Sequence, residues 1–329
     1  MVFKRLLGSL GAGRPAVDTV LDAGAVLPGG SLSGQVHLKG GNADFTIEQI
    51  TLELVARVEA EHDGGESHGT VVFDRFTLGG HFHLAEGEQR SVAFTVRLPW
   101  ETPVTELHGQ SLGVALGVRT ELEVADAKDK GDLDPLTVRP LPAQEAVLEA
   151  LGQLGFDFKS ADLEYGRIRG TGQQLPFYQE IELAPSPQYA QAVNEIELTF
   201  LANPGGMEVI LEADKRGGFF SEGHDAVTRF TVGPHEIQHR DWIADVDAWI
   251  RQLAEYRASY GPHGSYGNGS HRGHGDHRHG DGHSHRSGPG MGTVVAAGAA
   301  GLAGGMAATE VVDEVGDFFE GDEEEGGEG

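Results

Sequence analysis

The chain has 329 residues, enough for two ordinary domains, and 39% of them are hydrophobic, which is adequate for packed cores. It has no cysteine, which excludes disulfides, thiol catalysis and cysteine metal sites and fits a reducing cytoplasm. The net charge of −27 disfavours nucleic-acid binding, because phosphates would be repelled. Only Leu6 and Leu7 follow Lys4 and Arg5 before glycines begin. Without a signal-peptide core, we expect a cytoplasmic protein.

Period-2 alternation of apolar and polar residues dominates the first 130 residues. The clearest rows are Ile50–Val58, Val92–Leu98 and Leu112–Val124. Each row predicts a strand that buries one face and leaves the other to water, as in antiparallel sheets. Turn signals such as Pro28-Gly29-Gly30 and Gly79-Gly80 separate the rows. Short strands without intervening helices favour a β-sandwich.

A charged, proline-rich break at Asp126–Pro142 precedes a predicted helix at Ala143–Leu154, which Gly155 can terminate. Alternation returns over residues 156–232. A second helix is predicted at Asp241–Tyr256, with Asp241 as its N-cap. Its apolar stripe shows helical spacing and consists of Ile243, Val246, Trp249, Ile250 and Leu253.

The last 71 residues have a composition that cannot form a core. Tyr260–Gly290 is rich in Gly, His, Ser and Arg and is predicted to be disordered. Residues 259–329 hold twelve acids and three arginines, a net charge of −9, which leaves −18 on residues 1–258. An acidic folded surface favours basic partners or simply keeps the chain in solution.

Several blocks in consistent order resemble the bacterial sporulation-control family with an arrestin-like fold (stage 0 sporulation protein M type). They cover roughly residues 1–256 and comprise Phe3–Leu7, Val17–Leu21, Pro28-Gly29, Gly34–Gly41, Ile50–Leu54, Phe94–Pro99 with Thr102-Pro103, and Leu175–Glu180. The resemblance implies two arrestin-like sandwiches in tandem. It also implies a regulatory role in developmental or cell-cycle decisions, without catalysis or cofactors.

The predicted fold is therefore mainly β, with two tandem arrestin-like antiparallel β-sandwiches, a short linking helix, a C-terminal amphipathic helix and a disordered tail. We place the first sandwich at residues 1–138, and the linking helix, second sandwich and amphipathic helix at 139–258. A His/Gly-rich linker (259–290), an Ala/Gly-rich segment (291–309) and an acidic tail (310–329) follow.

Residues His235-Glu236-Ile237-Gln238-His239 match the H-E-x-x-H zinc pattern. That pattern needs a helix with both imidazoles on one face. Pro234 directly before it and Arg240 after it argue against that helix, and no third ligand is evident. We interpret the segment as a strand-to-helix connector, with a zinc hydrolase as the less favoured alternative, and we name no catalytic residue.

Histidines cluster in the linker, where neutral imidazoles on a flexible chain can bind Zn²⁺, Ni²⁺ or Cu²⁺. The candidate ligands are His271, His274, His277, His279, His283 and His285, with His263 nearby. A solvated, pH-responsive linker is the alternative interpretation. A metal-responsive or metal-buffering protein is accordingly the second hypothesis for function.

Met291–Thr309 is uncharged and long enough to span a bilayer, and Ala297, Gly301 and Gly305 have small-xxx-small spacing. Alanine and glycine give little transfer free energy, however, so we favour a disordered tail or a weak self-association helix over membrane insertion. The leading hypothesis is an intracellular adaptor that binds protein partners through strand edges, sheet faces or an interdomain groove. The sequence does not name those partners.

Overall fold

Two facing β-sheets form the first half of the chain. The computed structural model describes residues 13–62, 65–125, 130–213, 226–234, 236 and 240–260. One sheet has the order β1-β2-β5, with β1 at Ala16–Leu21, β2 at Ser31–Lys39 and β5 at Gln89–Arg97. In the other, β4 and β8 both pair with β3, and β9 pairs with β8. These strands are β3 at Phe45–His62, β4 at Gly65–Leu84, β8 at Leu116–Val124 and β9 at Lys130–Pro135. A hairpin of β6 (Glu106–Leu107) and β7 (Gln110–Ser111) lies between β5 and β8 in the chain.

Alternation places the apolar face of each strand between these sheets, as predicted. Leu52 and Leu54 of β3 are fully buried, and Val36 of β2 and Phe94 of β5 meet them from the facing sheet. Burial of large aliphatic and aromatic side chains is the main favourable term in such a core, at about 25 cal/mol per Å² of apolar surface. The predicted first sandwich is therefore confirmed.

The second half contains five antiparallel strands and two helices. The strands follow the order β14-β13-β12-β11-β10 and span β10 at Asp157–Tyr165, β11 at Phe177–Ala184, β12 at Ile196–Asn203, β13 at Gly206–Ala213 and β14 at Ala226–Val232. The helices are α1 (Pro142–Gln153) and α2 (Trp242–Tyr260). Among the described residues of this half, the helices form the layer that packs on one sheet face. Phe230 of β14 stacks on Trp249 of α2 at 4.6 Å between ring centroids.

Both helices begin and end close to their predicted limits. After α1, Gly155 has φ +84°, and Phe156 N donates to the Leu151 carbonyl at 3.0 Å. Glycine adopts this left-handed conformation without a Cβ clash, so it ends the helix. Asp241 caps α2, because its Oδ1 accepts from Ala244 N at 3.1 Å. The prediction that every residue of the apolar stripe is buried is wrong at Ile243, which lies in the first turn and is 41% exposed.

Side chains from the second half complete the core of the first half. Leu163, Leu175 and Phe177 belong to the same buried cluster as the sandwich strands. A parallel bridge between Glu164 and Glu59 joins β10 to β3, so the strands of both halves form one nine-stranded sheet. The two halves thus share packing across their junction, and all described residues belong to one compact unit. The proposed limits of the separate domains stay a prediction.

Three local predictions are wrong. Leu112–Val124 is not one strand, because Gly113 has φ +85° and β8 begins at Leu116. Gly79-Gly80 is not a turn but lies inside β4, where a Cβ on Gly80 would come within 2.1 Å of the Glu48 carbonyl of β3. The predicted break at Asp126–Pro142 contains β9, which pairs with β8 in spite of its charges.

The outer face of β3 was expected to meet water, yet Glu53 there has no exposed surface. Arg75 of β4 and Arg119 of β8 lie directly opposite Glu53 on its two neighbouring strands. Arg75 Nε donates to Glu53 Oε1 at 2.6 Å and Arg119 Nε to Oε2 at 2.8 Å. Both carboxylate oxygens are therefore paired, which offsets the cost of burying the charge.

We expect Glu53→Ala to lower the free energy of unfolding by about 3 kcal/mol, because the largely buried Arg119 guanidinium loses its partner. Glu123→Ala, at an exposed position of β8, is the control and should change stability by less than about 0.5 kcal/mol. Urea denaturation of both variants checks this. Equal losses would show that the buried ion pairs contribute nothing specific.

Two aspartates, Asp132 and Asp134, lie on the edge strand β9 of the sandwich. Asp132 of β9 accepts from Thr19 N of β1 at 2.6 Å, which connects the two sheets. Burial raises the pKa of Asp134 to about 7, and the neighbouring charges of Asp132 and Asp18 add to this effect. Burial likewise raises the pKa of Asp132. The folded chain therefore holds a proton at this edge that the unfolded chain releases near its ordinary pKa of 3.8.

Because the folded state binds this proton more tightly, stability should fall as pH rises from about 4 to about 7 and stay reduced above that range. Asp134→Asn should remove the larger part of this dependence, leaving the contribution of Asp132, and should stabilise the chain at pH 8 by about 1–2 kcal/mol, a value reduced for partial solvent screening. Denaturation midpoints at pH 4.5, 6 and 8 test this. The exposed Asp157→Asn is the control. An unchanged midpoint for Asp134→Asn at pH 8 would contradict the proposed cost.

Candidate binding groove at the junction of the two halves

The loop between β10 and β11, residues 166–176, is organised by one buried glutamine. Gln173 Nε2 donates to the carbonyls of Gly166 and Leu175, both at 2.8 Å, and of Phe177 at 3.2 Å, while its Oε1 accepts from Ile168 N at 2.8 Å. A single polar side chain can thus give the backbone groups of a loop the hydrogen bonds that a sheet would otherwise supply. The loop gains a fixed shape that a sequence pattern does not reveal.

Polar contacts fasten this loop and β11 to the first half. Glu101 accepts from the backbone nitrogens of Gln174, at 2.8 Å to the nearer oxygen, and Leu175, at 2.9 Å. The Gln179 side chain pairs with both backbone groups of Val104, at 2.9 Å to its nitrogen and 2.8 Å to its oxygen. These four bonds, together with the shared core, hold the two halves in one arrangement.

A groove of about 380 Å³ lies over these contacts and has mostly apolar walls. Trp100 and Pro99 line it from the first half, and Leu201 of β12 and Pro204 of the β12–β13 turn line it from the second half. Trp100 packs tightly over the turn at Gly29, where φ is +68° and a Cβ would lie 2.4 Å from the indole. Aromatic side chains fixed in such concave sites are typical anchors of protein interfaces.

The groove adjoins an acidic sheet face. Cross-strand pairing places one set of side chains of β10–β13 on the face opposite α1 and α2. Seven acids share that face: Asp162, Glu164, Glu180, Glu182, Glu197, Glu208 and Glu212. Glu208 also lines the groove and lies opposite Leu201, so the groove and this acidic face share one edge.

The charge on this face perturbs a tyrosine within it. Burial raises the pKa of Tyr178 well above its usual range, and the carboxylates of Glu180, Glu164, Glu212 and Glu197 raise it further. The cations Arg229 and Lys159 lie against this face. Arg229 donates to the Gly170 carbonyl at 3.0 Å and Lys159 bridges Glu182 and Glu195.

The metal ligands predicted from the sequence, His271 to His285, lie outside the described residues, as do both histidines of the H-E-x-x-H pattern. Glu236 of that pattern is described. It accepts from Arg240 Nη1 at 3.2 Å and from Gly233 N at 3.3 Å. Met291–Thr309 is likewise undescribed. Within the part of the chain that the structure describes, no helix is long and apolar enough to cross a bilayer.

The sequence predicted a groove between the two halves but did not indicate which residues form it. The residues that form it stand as far apart as Pro99 and Glu208. One signal was available: Thr102-Pro103 and Leu175–Glu180, quoted above for a family resemblance, contain or adjoin the residues that connect the two halves.

This architecture defines an arrestin-like, mainly β protein with its groove at the junction. The chain belongs to the SpoOM protein family, whose model matches residues 3–217.

Two matches to Spo0M of Bacillus subtilis, one in sequence and one in structure, support that assignment. The sporulation-control protein spo0M of strain 168 is 38% identical over 262 residues, which cover 77% of this chain and 99% of the relative. The crystal structure of Spo0M aligns with a TM-score of 0.63 and 32% identity, covering 75% of this chain and 99% of that one. About a quarter of the present chain thus has no counterpart in either relative.

We expect Gln173→Leu to destabilise the chain by about 2 kcal/mol, because one amide and three carbonyls lose their partner inside the loop. Hydrogen exchange should increase first in residues 166–176. The control is Gln174→Leu, at the exposed neighbouring position, which should leave stability within about 0.5 kcal/mol. Uniform exchange in both variants would show that Gln173 does not organise the loop.

Proposed function

We propose that this chain is a non-enzymatic regulatory adaptor of the sporulation-control type. Its groove at the junction would bind a segment of a protein partner. The family and the names of the Bacillus subtilis relatives, which describe sporulation control rather than an enzyme, support the regulatory class. The apolar groove built by both halves, with Trp100 in its wall, carries the argument for binding.

The size and composition of the groove suit a short peptide segment. A volume of about 380 Å³ accommodates one or two side chains, and its walls are mainly apolar with few polar groups at the rim. The fixed arrangement of the halves favours binding, because a preformed groove loses little conformational entropy when it is filled. The expected anchor on the partner is a large apolar or aromatic side chain.

Charge complementarity selects among such segments. Glu208 lies at the edge shared with the acidic face, and residues 1–258 carry a net charge of −18. A partner segment with Lys or Arg beside its apolar anchor would be attracted, whereas an acidic one would be repelled. Recognition would then reside on the two folded halves, and residues beyond 260 would contribute avidity or location.

A partner captured by the full-length chain should lose affinity when the groove is blocked. Gln174→Arg places a bulky cation in the groove wall at an exposed position, and we expect at least a tenfold rise in Kd, since it fills the groove and repels a basic segment. Gln89→Arg makes the same exchange at an exposed position of β5 and should change Kd less than twofold. Isothermal titration calorimetry with the identified partner measures both.

Salt provides the second measurement. Binding to the parent chain should weaken as ionic strength rises from about 50 to 300 mM, because the attraction between exposed charges is screened. If Gln174→Arg binds as tightly as the parent, the groove is not the binding site. If affinity does not change with salt, the partner segment is not basic.

A further inference from the structure

A histidine and two glutamates converge on the other side of the junction, away from the groove. His108 lies at the tip of the β6–β7 hairpin, and Glu145 and Glu149 lie one turn apart on α1. His108 Nε2 is 3.1 Å from Glu145 Oε1 and 3.6 Å from Glu149 Oε1. One ligand atom from each residue lies within 4.8 Å of the other two.

We propose that His108, Glu145 and Glu149 form a binding site for a divalent transition metal of the Zn²⁺ class. The site would join the β6–β7 hairpin of the first half to α1 of the second. This inference is independent of the groove and of any partner that the groove binds.

The distances suit a shared metal ion. Two ligands at 2.0–2.1 Å from a tetrahedral zinc ion are separated by about 3.3 Å, and cis ligands of an octahedral ion by about 3.0 Å. The observed separations of 3.1 and 3.6 Å lie near both values. One imidazole nitrogen with two carboxylates also matches ligand types that zinc accepts, with positions left for water.

A hydrogen bond alone accounts for only part of this geometry. A neutral imidazole nitrogen carries at most one hydrogen, which satisfies Glu145 at 3.1 Å, whereas Glu149 at 3.6 Å lies beyond a normal hydrogen bond to the same atom. Glu145 and Glu149 also repel each other at i,i+4 on the helix surface. A divalent cation would satisfy both carboxylates and remove that repulsion.

The backbone at the hairpin tip holds the imidazole toward α1. His108 has φ +53° and Gly109 has φ +79°, so both residues of the two-residue loop are left-handed, as in a type I′ turn. Residues other than glycine adopt this conformation at a cost. The root of the hairpin is fixed, because Thr105 N donates to the Val138 carbonyl at 2.9 Å.

Two all-carboxylate clusters on the acidic face are weaker candidates. Glu182 and Glu195 of the first are already bridged by Lys159. The second, Asp162 with Glu164 and Glu180, contains no nitrogen ligand. Carboxylates alone favour hard cations, whereas an imidazole adds selectivity for transition metals.

The test uses the full chain with the seven histidines of the linker replaced by serine, which removes their background binding. Co²⁺ is the probe, because its visible absorption reports coordination, and Zn²⁺ calorimetry gives the stoichiometry. We expect one equivalent of each ion. Saturating Zn²⁺ should raise Tm by about 3 °C, since it binds only the folded state.

His108→Asn is the decisive variant, because asparagine tolerates the left-handed conformation but removes the imidazole. In this background it should lower metal affinity at least tenfold and abolish the Tm rise, while its Tm in EDTA stays within about 1 °C of the parent. Glu149→Gln should also lower affinity at least tenfold.

His68→Asn serves as the matched control. His68 contacts one glutamate, Glu59, at 3.3 Å, and belongs to none of the three-ligand groups among the described side chains. It should leave Co²⁺ binding unchanged. The proposal is wrong if the histidine-replaced chain binds no Co²⁺, or if His108→Asn binds it as tightly as the parent.

Discussion

The structure depends on the insertion of Phe177 and its neighbours into the core of the first half. Phe177 meets Phe73 edge-to-face, with ring centroids 5.6 Å apart and an interplanar angle of 86°. Leu163 and Leu175 pack beside it. Because these residues belong to β10 and β11 and the loop between them, removing the second half would expose part of the sandwich core. The two halves therefore stabilise each other.

This shared core explains the polar junction above it. Once the hydrophobic contacts fix the position of β11, Gln179 can reach both backbone groups of Val104, and Glu101 can accept from two amides of the loop. Such bonds need accurate placement, which apolar packing alone does not provide. The same contacts fix the positions of the groove and the acidic face, so the placement of one surface beside the other does not depend on a flexible linker.

Several features that reduce folding stability lie at the edges and outer surfaces of the sandwich. A fully buried glutamate requires two arginines, an aspartate at the sheet edge retains a proton near neutral pH, and a histidine occupies a left-handed position at a hairpin tip. Each lowers stability unless its neighbours compensate. Such features often mark positions where charge, pH or a cation can influence a fold.

The amino-acid sequence by itself determined which segments form strands and helices in most of the described chain, because one buried face leaves a period of 2 or 3.6. The limits of α1, the cap of α2 and the family resemblance followed from local residues. The tertiary structure alone decided the rest. Gly80 lies within a strand, at a point where β3 approaches β4 too closely for a side chain. β4 also bulges at two places, and Phe73 is the extra residue at one of them. The groove and the three-residue cluster unite positions 37 to more than 100 residues apart, and no local period encodes contacts at such separations.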